Sequence, residues 1–238
     1  MNFNDQTVVV TGAASGIGQA QVQAFLAQGA TVYGVDVNES NIEHTRYTHI
    51  VGSVTNKALM TDTIGALEHV DILCDTAGVL DGYAPSLETD EALWDRIFNT
   101  NVKGLYMVTN AILPTMIAAK RGIIVNMASI AGLTAGGGGA AYTASKHAVI
   151  GYTKQLSYDY CKFGIRVNGI APGAIETPMN AADFEGDGEM AKWVAKETPA
   201  GRWAQPEEVA NVTLFLASPQ SDYMHATIIP IDGGWMNK

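Results

Sequence analysis

The sequence predicts a doubly wound α/β fold, a single domain over residues 1–238 built on a parallel sheet of about seven strands with helices on both faces. Three observations carry this expectation. Short apolar, β-branched runs recur along the chain, most are separated by segments of helical periodicity, and a glycine-rich turn joins the first run to the first helix. Parallel pairing needs crossover connections, so the alternation calls for a sheet covered on both sides.

Gln6–Thr11 reads as the first strand, and Ile17, Val22, Phe25 and Leu26 mark the apolar face of the helix after it. Gly29 stops that helix, and Thr31–Val35 is a second strand closing at Asp36. Further strands are expected at His49–Val51, Asp71–Cys74, Ile123–Met127, Arg166–Ile170 and Thr227–Ile231. Helices are expected over Lys57–Glu68, Glu91–Ala119, Ala141–Phe163 and Pro206–Ala217, with Pro114 a candidate kink in the second of these. Asn180–Gly201 has no strand pattern and mixes acids with Phe184, Met190 and Trp193, so 180–201 is expected to form a substrate lid.

Composition narrows the function classes. Lys and Arg number 14 against 24 Asp and Glu, a net charge of −10, the wrong sign for a surface that tracks phosphates. Nucleic acid is therefore not an expected partner. Cys74 and Cys161, in segments read as a buried strand and a long helix, are expected to be reduced packing thiols. The start of the chain lacks a basic region followed by an apolar one, which points to the cytoplasm. No run of about 18 residues is apolar without a charge or helix breaker, so no membrane span is expected. His44, His49, His69, His147 and His225 share no metal-ligand spacing, and no metal site is assigned.

The turn Thr11-Gly12-Ala13-Ala14-Ser15-Gly16-Ile17-Gly18 lies where strand ends and a helix N-terminus converge. Gly12 permits the tight turn, Gly16 lets backbone amides approach a pyrophosphate, and Gly18 lets the helix pack close to the sheet. Asp36 stands eighteen residues beyond Gly18, at the end of the second strand, where a carboxylate can accept hydrogen bonds from both hydroxyls of an adenosine ribose. It would repel a 2′-phosphate, and neither Ser15 nor Val37 offers a compensating cation, so NAD is favoured over NADP.

Tyr142 and Lys146, four residues apart at the start of a helix, share one face. A phenol ionises near pH 10, so proton transfer near neutrality needs a nearby cation, which Lys146 can supply. Thr11–Gly18, Asn101, Ser129, Tyr142, Lys146 and Pro172-Gly173 occur in an order and spacing that resemble the short-chain dehydrogenase/reductase family over nearly the whole chain. That resemblance implies a Rossmann-type fold and a tetrad. Tyr142 is then the general acid–base, Ser129 holds the substrate oxygen, Lys146 grips the nicotinamide ribose and lowers the tyrosine pKa, and Asn101 anchors a proton-relay water. It also puts Gly12, Ser15, Gly16, Ile17, Gly18, Val54, Ala77, Gly78, Pro172 and Gly173 among the cofactor contacts, with Ile175 and Thr177 at the carboxamide. Asp232-Gly233-Gly234-Trp235 resembles the family's closing turn, and because relatives commonly pack the last strand and its neighbouring helix across a two-fold axis, the resemblance implies a homotetramer.

Two departures stand out. The family usually carries Asn-Asn-Ala-Gly where this chain has Asp75-Thr76-Ala77-Gly78, and Ser53 occupies a place where an Asp often meets the adenine. The expected activity is hydride transfer between NAD and a small alcohol or ketone. The rivals are a 3-oxoacyl-(acyl-carrier-protein) reductase, whose usual NADPH and acidic carrier fit poorly with Asp36 and the charge of −10, and a non-catalytic dinucleotide sensor on the same fold. Gly136–Gly139 between Ser129 and Tyr142 is read as pocket lining or as a flexible loop, and Tyr83, Met179, Phe184 and Trp193 as an apolar wall.

Overall fold

A computed structural model describes residues 1–237. The strands are β1 (Thr7–Thr11), β2 (Thr31–Asp36), β3 (Tyr47–Val51), β4 (Ile72–Asp75), β5 (Gly122–Met127), β6 (Ile165–Pro172) and β7 (Ile228–Ile231). They form one sheet in the order β3-β2-β1-β4-β5-β6-β7, and every pairing is parallel. The helices are α1 (Gly16–Ala27), α2 (Lys57–Leu59), α3 (Glu91–Phe98), α4 (Leu105–Ala119), α5 (Ala140–Tyr160), α6 (Glu189–Glu197) and α7 (Pro206–Ala217).

Strand β1 shows why the sheet must be covered twice. Val8, Val9 and Val10 are all fully buried, and successive side chains point to opposite faces. Val8 and Val10 pack with Val22, Phe25 and Leu26 of α1 and Leu214 of α7. Val9 packs on the other side, with Val108, Ile112 and Met116 of α4 and Leu156 of α5. The chain order reverses between β1 and β4, the point at which open α/β sheets bind ligands beyond their strand ends.

Three expectations need correction. The helix expected over Lys57–Glu68 is a single α turn followed by a π-helical segment, Met60–Ile64, and stops when the Gly65 N–H bonds back to the Met60 carbonyl. The Glu91–Ala119 run is interrupted at Asn99–Gly104, again by π-helical backbone, while α4 passes through Pro114 unbroken. By length and composition alone that run of 29 residues could cross a membrane, although Lys103, Gly104 and Pro114 interrupt its apolar stretch. Its Val108, Ile112, Leu113 and Met116 lie instead in the core against the sheet. Cys74 is buried as expected, but Cys161 is exposed, because the chain leaves α5 through a 3₁₀ turn, Cys161–Phe163, at the surface.

Residues 180–201 contain no strand: a 3₁₀ segment, Pro178–Phe184, leads to α6. Helix α7 starts where the sequence places it, with Pro206 at its first turn and Gln205 and Glu208 in a reciprocal capping box.

Candidate active site

One cavity of about 680 Å³ opens at the carboxyl ends of the strands. Gly12, Ser15, Gly16, Ile17, Gly18, Asp36, Gly78, Ser129, Tyr142, Lys146, Pro172, Gly173, Ile175 and Thr177 all line it, brought together from loops after β1, β2, β4, β5 and β6 and from α5. Val54, Ala77 and Asn101 are not part of that wall. Val54 is buried against Gly104.

The phosphate end is built by backbone. Gly12 and Gly16 have φ of +69° and +52°, which glycine alone adopts without strain, and a Cβ on Gly18 would lie 2.0 Å from the Gly12 carbonyl oxygen. A Cβ on Gly16 would stand 3.2 Å from Thr177, so the loop after β6 closes over the glycine-rich turn. Ser15 caps α1 without a side-chain bond to its first turn, whose positive end faces the cavity. Asp36 accepts the N–H groups of Ala14 at 3.0 Å and of Asn38 at 2.9 Å, which aims its carboxylate beside that turn. No lysine or arginine lies near it among the described lining residues; Lys146 is the cavity's one cation. Glycine cradle, helix end and carboxylate together fit a dinucleotide with an unphosphorylated adenosine ribose.

Thr11, buried at the end of β1, organises the departure from the family pattern. Its hydroxyl oxygen accepts the N–H groups of Thr76 and Ala77 at 2.9 and 3.0 Å, and Thr76 donates to Gln21 at 2.6 Å. Thr109 donates to Asp75 at 3.0 Å. Asp75 is fully enclosed with no cation beside it, and desolvation pushes its carboxyl pKa up to about 7 despite these hydroxyls.

At the other end, Ser129 leaves β5 in extended conformation and accepts the Ala131 N–H at 3.1 Å. Tyr142 and Lys146 sit one turn apart on α5, both buried, with the ammonium 5.6 Å from the phenol ring centre. The ammonium donates to the Met127 carbonyl at 2.8 Å. Desolvation pushes the Tyr142 phenol up to about 12, the Ser129 hydroxyl pulls it partly back, and negative charge at Tyr83 and Asp81 raises it further. Desolvation also brings Lys146 down to about 8. Burial therefore moves the two groups in opposite directions, and the Ser129 hydroxyl is the contact that pulls the phenol back toward its ordinary value.

Asn101 lies in the π-helical break between α3 and α4. Its side chain accepts the Val79 N–H at 2.8 Å and donates to the Val79 carbonyl and to Ser145 at 3.0 and 3.1 Å. Those bonds brace the loop after β4 against α5.

Two features escaped sequence reasoning. Buried Asp81 accepts the N–H groups of Gly139 and Tyr142 at 2.9 and 2.8 Å and of Tyr83 at 3.1 Å, pinning the first turn of α5. An isolated acid in a loop gives no periodic signal. The second half of the glycine run is likewise packed: a Cβ on Gly138 would lie 2.4 Å from the Tyr142 ring, and one on Gly139 would lie 2.5 Å from Ala84, while Gly136 and Gly137 line the cavity as one reading of the sequence had it. The wall beyond Tyr142 includes Met179, Met190, Trp193, Trp203 and Trp235, of which only Met179 and Trp193 were expected as wall residues. Phe184 instead packs its ring on Trp203, 4.9 Å away.

Residues 12–236 match the family described as Enoyl-(Acyl carrier protein) reductase. The chain is 36% identical to 3-oxoacyl-(acyl-carrier-protein) reductase FabG of Thermotoga maritima, covering 98% of this chain and 99% of that relative. It is also 36% identical to cyclopentanol dehydrogenase of a Comamonas species, over 98% and 97% of the two chains. A Beutenbergia cavernae structure described as an NAD(P)-dependent gluconate 5-dehydrogenase, with NADP bound at low occupancy, superposes with a TM-score of 0.91 at 31% identity, covering 100% and 99%.

Proposed function

The chain belongs to the short-chain dehydrogenase/reductase family and is a nicotinamide-dependent oxidoreductase, and from that premise we propose that it moves hydride between NAD and a small alcohol or ketone. The observation that carries the reading is the convergence of Ser129, Tyr142 and Lys146 on the same cavity as Gly16 and Asp36.

Bound nicotinamide supplies the carbon that gives or takes hydride. The rest is the chain's work. Ser129 donates a hydrogen bond to the substrate oxygen and holds it beside the Tyr142 phenol. In oxidation Tyr142 removes the hydroxyl proton; in reduction it returns one to the carbonyl oxygen. Lys146 keeps a positive charge next to that phenol and offers an N–H to a ribose hydroxyl. Asn101 and Asp81 hold α5 and its neighbouring loop in register.

Asp36 supports NAD, because a 2′-phosphate would meet a carboxylate with no cation to offset it. The NADP-holding relative and the carrier-protein reductase keep a second reading open to test, that of 3-oxoacyl-(acyl-carrier-protein) reduction with NADPH. A sensor without turnover would be under no constraint to retain the tetrad. By family resemblance we also propose a homotetramer in the cytoplasm, which light scattering and cell fractionation test.

The test is a panel of alcohols and ketones with each dinucleotide, run on the natural protein and on Tyr142→Phe. Turnover with NAD that falls by about 10²-fold or more in the variant, with dinucleotide binding kept, supports the proposal. Full turnover by Tyr142→Phe sinks the assignment of the acid–base, and a strong NADP preference sinks the reading of Asp36.

A further inference from the structure

The substrate end of the cavity has a chemistry narrower than the reaction demands. Past Ser129 and Tyr142 its wall includes Met179, Met190, Trp193, Val194, Trp203 and Trp235, with Tyr83 and Asn180 as neutral polar members. Trp193 and Trp235 stand edge to face, their ring centres 6.3 Å apart. Among the described lining residues the charged side chains are Asp36 at the adenosine end, Lys146 beneath Tyr142, and Asp183 in the 3₁₀ segment over the substrate end. Lys146 is committed to the Met127 carbonyl.

Nearby basic groups point elsewhere. Lys192 donates to the Asp187 carbonyl at 2.6 Å, and Arg202 forms a two-pronged pair with Glu208 at 2.8 and 2.7 Å. Among the described lining residues a carboxylate or phosphate on the substrate would therefore find no guanidinium and no ammonium beyond Lys146, and would face Asp183. That carboxylate is within electrostatic reach of the Tyr83 phenol, which also lines the cavity. Partial burial strengthens the effect, because water screens a charge less inside a cavity.

We propose, resting on the alcohol or ketone reading above, that the substrate is uncharged and apolar around its reacting carbon, and that Asp183 is the residue that turns anionic substrates away. The aromatic and thioether wall supplies binding by burial of a ring or short hydrocarbon. Asp183 supplies discrimination by repulsion.

The experiment compares 4-oxocyclohexanecarboxylate with its methyl ester, using NADH, in the natural protein, Asp183→Asn and Asp183→Lys. The ester is expected to have a kcat/KM at least about tenfold above the acid. Asp183→Asn is expected to raise the acid about tenfold while leaving the ester unchanged, and Asp183→Lys to reverse the preference. Equal use of acid and ester by the natural protein, or an unchanged ratio in Asp183→Asn, overturns the proposal. Tryptophan fluorescence titrations of the same two ketones with dinucleotide present separate it from the parent reading. Ester binding without turnover keeps the charge selection and removes the hydride-transfer assignment, whereas failure of both ketones to bind overturns the proposed substrate class.

Discussion

The Asp81 carboxylate accepts the backbone N–H of Tyr142 at 2.8 Å, so an acid from the loop after β4 fixes the residue at the centre of the proton chemistry. Its other oxygen takes Gly139 and Tyr83, which ties the glycine run and the cavity wall to the same point. Asp81→Ala leaves these buried amides unpaired and is expected to cost about 2–4 kcal/mol of stability. Asp81→Asn retains part of the bonding and removes a negative charge that raises the Tyr142 pKa. Its pH–rate profile for oxidation should move to lower pH, a shift that lost packing alone would not produce.

Lys146 illustrates function held against stability. Its burial lowers the amine's pKa to about 8, so below that pH the fold carries an enclosed ammonium that the unfolded chain would solvate. Stability rises as pH climbs from about 8 toward the ordinary lysine value, where the unfolded state also loses its proton. Lys146→Met should therefore raise stability at pH 7 by an amount on the order of 2 kcal/mol, seen as a higher melting temperature, a gain that vanishes near pH 10. Turnover should fall by about 10²-fold or more in the same protein. A melting scan at both pH values checks the pair.

Cofactor choice rests on Asp36 as both acceptor and brace. Because it takes the N–H groups of Ala14 and Asn38, Asp36→Ala loosens the adenosine end as well as removing the repulsion. Asp36→Ala combined with Val37→Arg supplies the missing cation. The ratio of kcat/KM for NADP to that for NAD should rise by about 10²-fold or more, with Asp36→Ala alone reaching only part of that change.

Asp75 predicts an unusual pH dependence of the fold. Burial raises its pKa from the ordinary carboxyl value to about 7, so the folded state favours the protonated acid. Its contribution is fully present below about pH 4 and is lost as pH rises through 7, where the carboxylate must be ionised among Thr11, Thr109 and Cys74. Asp75→Asn keeps the acceptor for the two hydroxyls and abolishes the charge. Melting temperature at pH 8 should rise by about 5 °C or more, with little change at pH 5.

The inner strands were legible because they are buried on both faces and so read as unbroken apolar runs, Val8–Val10 being the clearest. The glycine-rich turn, Asp36, Tyr142 and Lys146 were legible because each depends on local spacing, either a turn that needs glycine or one helical turn. Less was visible where backbone departs from the α pattern. The π-helical segments at Met60–Ile64 and Asn99–Gly104 have side chains compatible with α-helix, and only packing selects the wider turn. Asn101 could be placed near the site by its family position, yet its commitment to Val79 and Ser145 joins residues 22 and 44 positions away.

From its order of residues alone the chain specifies a parallel, doubly covered sheet, a dinucleotide cradle and a tyrosine–lysine face, since each follows from periodicity or from contacts within a few positions. Tertiary structure decided what surrounds them. Asp81 reaches α5 across about 60 residues, Asp75 loses its water, and Asp183 is left as the charged group over an aromatic wall. Burial and long-range approach set those properties, because a side chain's field and solvation depend on neighbours that the linear order does not place beside it.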